Sequence, residues 1–162
     1  QEIEVIRGVQ HKKVVCILDE AHLLEKETLE EFRFLLNYKF DSVSPMAVVL
    51  VGQTELWENK LKLQRYAAIR QRIDMYCTLP HLDRSETEQY IGSHMAYSGC
   101  SQEVFTEKAV DEIHKASAGI PRMINRICEK ALMYAFQQQR RLVDDYMIKF
   151  VVEHEMLTVT TK

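Results

Sequence analysis

Residues 14–22 read VVCILDEAH, five apolar residues that end in two adjacent acids. An uninterrupted, β-branched run of this kind predicts a strand covered on both faces over Val14–Leu18. Asp19 and Glu20 then fall at its carboxyl end, where a parallel sheet gathers its ligands. A carboxylate there can hold Mg²⁺, mostly through water, while its neighbour polarises an attacking water. The chemistry that suits this pattern is hydrolysis of a nucleotide phosphate. Solvated turn acids have the same spelling, so the pair carries weight only in company.

Three further stretches supply that company. MAVVLVG at Met46–Gly52 predicts a second buried strand, with Gln53 just beyond it. If the two strands are neighbours, the Gln53 amide can orient a water as both donor and acceptor; otherwise it is a polar residue at a helix start. AAIRQRI carries Arg70 and Arg72 immediately before a third apolar run. Between Glu58 and Asp74 there are five basic residues (Lys60, Lys62, Arg65, Arg70, Arg72) and no acid. Arginine suits a developing phosphoryl charge because its planar fork makes two hydrogen bonds at once, although a solvated basic face would have the same composition. In GIPR, Arg122 stands in the first turn of a helix opened by Pro121. The helix dipole favours acids there, so a cation at that position points to an external anion.

The elements that must hold these residues alternate in the first half of the chain. LLEKETLEEFRFLLNYKF has Leu29, Phe32, Leu35 and Leu36 at helical spacing, Asp41–Pro45 is a loop, a short helix is expected over Glu55–Leu63 and another over AAIRQR. Met75–Leu79 predicts a third strand, ended by Pro80. Strands and helices in this order make a parallel sheet joined by crossovers. After PHLDR the strands vanish. Ser85-x-x-Glu88 has capping-box spacing for a helix to about Ser98, and Thr106 caps one to Ala118. Gly119 stops that helix, Pro121 starts one to about Gln139, and Asp144 caps a last one through Leu157. The fold class expected is α/β, a partial parallel-sheet core over 1–83 followed by an all-helical bundle over 84–162, with the change of pattern at Leu82–Ser85.

Composition excludes several alternatives. A chain of 162 residues with 46% hydrophobic and 28% charged content is an ordinary globular one. A net charge of −3 gives no global basic field for nucleic acid. The four cysteines, Cys16, Cys77, Cys100 and Cys128, stand far apart and read as small buried hydrophobes in a reducing compartment. Neither they nor the six histidines have the spacing of a zinc site. No run approaches the ~18 apolar residues of a membrane span, and the charged opening QEIEVIRGVQHKK is no signal peptide. A cytoplasmic location without membrane contact in this segment is expected. The first residue is Gln1 rather than Met, which points to a missing upstream part.

Taken in order, these motifs resemble the later two-thirds of an AAA+ ATPase module, of which the helical bundle would be the lid. Asp19–Glu20 resembles Walker B, Gln53 the sensor 1 position, RQR the arginine-finger segment and GIPR the sensor 2 motif. More narrowly, LDEAHLL, VGQTEL, AAIRQRI and SAGIPRMINRICEKAL are similar to the ExeA/GspA ATPases of the general secretion pathway and to TniB-type transposition ATPases. The likeness runs from about Val14 to Glu153; Thr54 after the Gln departs from the more usual Pro. The resemblance implies ATP and Mg²⁺ as cofactors and a homo-oligomer. It makes Arg72, with Arg70 second, a finger acting on a neighbour's site, and has Arg122 reach the γ-phosphate of its own. Secretion machinery or DNA and a transposase are the implied partners. In the secretion type a membrane segment would lie outside this chain. Asp19-Glu20-Ala21-His22 also spells the signature of a DEAH-box helicase, but the Ser-Ala-Thr and Q-x-x-G-R-x-G-R motifs of those enzymes are absent.

One part of such a site is missing from the sequence. A phosphate loop needs G-x-x-x-x-G-K-[ST], whose backbone N–H groups cradle the phosphates. None of the five glycines precedes a lysine. A fragment that begins after this loop, inactive by itself, is therefore expected. A non-catalytic interaction or DNA-binding module on the same scaffold is the competing reading. Arg122, Arg126 and Lys130 repeat at helical spacing, a stripe that would meet either DNA phosphates or water.

Overall fold

The computed structural model describes residues 6, 10, 12–36, 46–100 and 102–156, and of 32–36 the backbone only. The expected loop at Asp41–Pro45 and the side chains of Phe32, Leu35 and Leu36 lie outside the described residues. So does Leu157. The chain forms two compact units, Gln1–Thr78 and Leu79–Lys162.

In the first unit, strand β1 (Val15–Leu18) pairs in parallel with β2 (Ala47–Leu50), in register from Val15↔Ala47 to Leu18↔Leu50. A parallel pair needs a long crossover, and helix α1 (Lys26–Leu36) occupies it. The ladder runs on past the strand ends: Val51 N–H donates to Leu18 O, and Ala21 N–H donates to Val51 O, both at 2.8 Å. Behind the ladder, Ala21, Leu29, Leu56, Leu61, Tyr66 and Ile69 are buried together. A π-helical segment (Leu56–Leu61), a 3-10 turn (Gln64–Tyr66) and the short helix α2 (Ala67–Arg70) supply most of them.

Two expectations fail here. β1 and β2 were expected to be covered on both faces, yet Val15, Ile17 and Val49 are exposed while Cys16, Leu18, Val48 and Leu50 are half-buried. Among the described residues only two strands pair, and one face of the pair lacks a cover. For the same reason Met75–Leu79 is not a strand. Among the described residues it has no partner ladder, and Met75 is 86% and Leu79 89% exposed. The Tyr76 ring stacks on Trp57 at 4.4 Å between centroids, and its hydroxyl accepts from Thr78 Oγ1 at 3.0 Å. Cys77 is exposed with this segment, against the buried reading of the cysteines. Cys128 does fit that reading: burial pushes its thiol up to about 12.

The second unit is helical: α3 (Arg84–Tyr97), α4 (Glu107–Ser117), α5 (Pro121–Gln137) and α6 (Asp145–His154). Their apolar stripes meet in one core, in which Ile113, Ile124, Ile127, Val143, Ile148 and Val151 are fully buried. Thr106 and Asp144 cap α4 and α6 by accepting from Ala109 N–H and Met147 N–H. The cap of α3 is not Ser85. The capping box is built by Asp83 and Glu86, each side chain accepting the other's backbone N–H, at 2.8 and 2.9 Å. Asp83 and Ser85 have the same spacing to an acid, but Glu88 is engaged by Arg84 one helical turn away.

Just before that cap, Leu82 N–H donates to Gly119 O at 2.9 Å. Gly119 sits at φ +72°, and a Cβ built on it would stand 2.0 Å from Leu82 O. Only glycine fits, because the left-handed backbone and the close carbonyl both exclude a side chain. Gly119→Ala should therefore cost about 3 kcal/mol of stability, read as a lower denaturant midpoint at unchanged slope. A loss below about 1 kcal/mol would mean that the turn relaxes and does not depend on glycine.

Candidate functional site: the joined ends of two strands

Because Leu18 pairs with Leu50, the residues after each strand emerge on the same edge. Asp19 and Glu20 form an exposed turn there, followed by a 3-10 turn (Ala21–Leu23). Glu20 N–H donates to Asp19 Oδ1 at 2.8 Å, which orients the first carboxylate. Glu20 itself has φ 52° and ψ 33°, the left-handed region that a non-glycine residue rarely occupies. Ala21 N–H then returns to Val51 O, so the turn is fastened to the end of β2.

Gly52 and Gln53 follow β2, and His22 joins them to the acids. The His22 side chain is 9% exposed; its Nδ1 lies 3.3 Å from Glu20 Oε2 and 3.4 Å from the Gln53 backbone N. A Cβ at residue 52 would come within 3.1 Å of His22 N and 3.3 Å of Nδ1, so a side chain there would make His22 give by a few tenths of an ångström, and glycine leaves the ring its room. Lys60, from the π-helical segment, donates its ammonium to His22 O and to Leu24 O and thereby closes the 3-10 turn. Sequence patterns gave His22 no role. The one available signal was its place two residues after Glu20, opposite the glycine of VGQ.

The remaining residues are distributed differently. The Arg70 guanidinium donates to Leu61 O and Lys62 O, both at 2.8 Å, and so closes the end of the π-helical segment. Arg72 is exposed just past α2, and its backbone N–H donates to Ile69 O. Arg122 is exposed in the first turn of α5, in the second unit. Arg126 is also exposed, but Lys130 is half-buried and pairs with Glu155 at 3.5 Å, so the basic stripe ends in an ion pair.

The donor set at this edge fits a hydrated cation. Mg²⁺ commonly takes one or two carboxylates plus phosphate and water, and Asp19 offers one solvent-facing carboxylate beside a second acid. Among the described residues no group of three or more His, Cys, Asp or Glu gathers to enclose a metal. Among them, too, no helix is long and apolar enough to cross a membrane.

Comparison with known proteins bears on the fold. Residues 4–59 match the family described as AAA domain. The chain is 38% identical over 125 residues to general secretion pathway protein A of Aeromonas hydrophila, an alignment that covers 77% of this chain and 23% of that protein. The chain thus spans about a quarter of the length of this curated relative. Among solved structures, a variant of Thermotoga maritima RuvB superposes with a TM-score of 0.68 at 16% identity, over 88% of this chain and 45% of that one. The Thermotoga maritima RuvB Holliday junction branch migration motor gives 0.65 at 17%, over 94% and 48%. At such identities the likeness speaks for the fold alone. Parallel strands, the first with two acids at its carboxyl end, a following helical bundle and the AAA domain matched by residues 4–59 lead to one conclusion: the chain has the AAA+ ATPase fold.

Proposed function

We propose that this chain is the hydrolysis and sensing part of an ATPase module of the general secretion pathway ExeA/GspA type. The observation that carries the reading is the junction of Asp19–Glu20 with Gly52–Gln53 at one edge of two in-register parallel strands. In this reading Asp19 holds Mg²⁺ mostly through water, Glu20 polarises the attacking water and Gln53 orients it. ATP brings the phosphates and their counter-ion, and the phosphate loop that cradles them belongs to a longer protein. The identity with general secretion pathway protein A supports the secretion type over the TniB type. So does the ion pair at Lys130, which shortens the stripe a DNA contact would use. A cytoplasmic module that assembles as a homo-oligomer, in a protein held at the membrane by a segment outside this chain, completes the proposal.

The arginines are given separate roles. Arg70 has two of its donor hydrogen bonds engaged by backbone carbonyls, which makes it a brace for the segment before it. Arg72, exposed just past α2, is assigned as the finger for a neighbouring subunit's phosphates. Arg122 is assigned to the nucleotide of its own subunit.

Variants of the longer protein test these roles. Glu20→Gln should keep ATP binding and lose hydrolysis by about 10²-fold or more, whereas Asp19→Asn should weaken Mg²⁺-dependent binding as well. Arg72→Ala should lose about 10³-fold in rate with binding nearly unchanged. Arg70→Ala should mainly lower the melting temperature. Parental hydrolysis by Glu20→Gln would make Glu20 a turn residue and end the proposal.

The chain by itself is expected to be inactive, since its sequence contains no G-x-x-x-x-G-K-[ST]. Calorimetry on residues 1–162 should detect ATP binding no tighter than millimolar. Micromolar affinity would mean that phosphates are held by some other element of this chain.

A further inference from the structure

We infer that His22 is the positioning residue for Glu20, and that its Nδ1 alternates between the Glu20 carboxylate and the Gln53 backbone N–H. The inference rests on the hydrolytic role proposed for Glu20. It starts from one nitrogen with two neighbours: Glu20 Oε2 at 3.3 Å and Gln53 N at 3.4 Å. The two contacts make opposite demands. Gln53 N–H donates, so it needs a lone pair on Nδ1. A carboxylate accepts, so it needs a proton there.

Neutral imidazole can meet only one demand at a time. With the proton on Nε2, Nδ1 accepts from Gln53 and the Glu20 carboxylate is released. With the proton on Nδ1, the ring holds Glu20 and the Gln53 N–H loses its partner. Exchange between the two forms delivers one proton to one ring nitrogen as another leaves the second, and the net charge does not change. The ring is kept at this branch point by its surroundings. It is nearly buried, Gly52 leaves it room, and Lys60 secures its own carbonyl. The left-handed turn at Glu20 adds a reason for a dedicated holder, because that backbone is strained and its side chain is otherwise exposed. His22 thereby ties the position of the hydrolytic carboxylate to the end of β2, where Gln53 stands.

The first test uses this chain and needs no nucleotide. Nitrogen-15 spectra of the imidazoles, recorded at about pH 8.5 where neutral imidazole ordinarily dominates, read the tautomer of His22. The His22 signals are those lost in His22→Asn. The wild type should populate both forms, and Glu20→Ala, a change at an exposed residue, should shift the ratio toward the Nε2–H form. An unchanged ratio would overturn the inference. The second test uses the longer protein. His22→Ala should lower kcat about 10–100-fold, as loss of the partner that orients a reactive group commonly does, at nearly constant KM. His22→Asn should recover most of the loss, because its amide can donate or accept near the same point. Full activity in His22→Ala, or equal loss in both variants, would sink the positioning role. If instead Glu20→Gln hydrolyses ATP normally, the fault lies in the role given to Glu20 and not in the geometry around His22.

Discussion

Everything at the candidate site depends on the register of one parallel ladder. With Leu18 opposite Leu50, the hydrogen bonds from Val51 to Leu18 and from Ala21 to Val51 bring two turns against each other. A slip of one residue would reverse every side chain on β2 and carry Gln53 away from the acids. The pairing is only four residues long on each strand, so the ladder alone does not fix it. The buried set around Ala21, Leu29, Leu56 and Leu61 does so from behind, while His22 over Gly52 does so from the edge.

The helical unit rests on a comparable point contact. Gly119 accepts from Leu82 and cannot carry a side chain there, so the turn before Pro121 is welded to the turn before Asp83. Both helices that follow, α3 and α5, take their starting directions from this pair. Arg122 stands on the second residue of α5, so its position is set by a backbone contact that no charge pattern announces. His114 adds a second tie. Thr87, fully buried, donates to Asp83 O, which leaves its oxygen to accept from the His114 ring and joins α3 to α4.

Much of this was legible in the sequence because local rules and tertiary packing agreed. Thr106, Asp144 and Pro121 open helices where their chemistry says they should, and the two strand runs pair in parallel as the intervening helix requires. The misreadings share a cause, which is that the decisive partner is remote or ambiguous. Met75–Leu79 has strand composition but finds no ladder among the described residues, and composition alone does not say which neighbour a strand will have. Asp83 and Ser85 offer the same capping spacing, and a contact from residue 119 fixes the chain just before Asp83. His22 was overlooked because its partners are at residues 20 and 53, and a histidine outside a ligand pattern has no periodic signature.

The central claim is that the two strand ends act as one unit in hydrolysis. A double-mutant cycle between Glu20 and Gln53 tests it most directly, with single-turnover hydrolysis by the longer protein as the readout. Residues that act together are non-additive, since removing the second does little once the first is gone. The account predicts that Gln53→Ala slows the parent strongly but costs almost nothing on a Glu20→Gln background. Equal rate losses from Gln53→Ala on both backgrounds would contradict it.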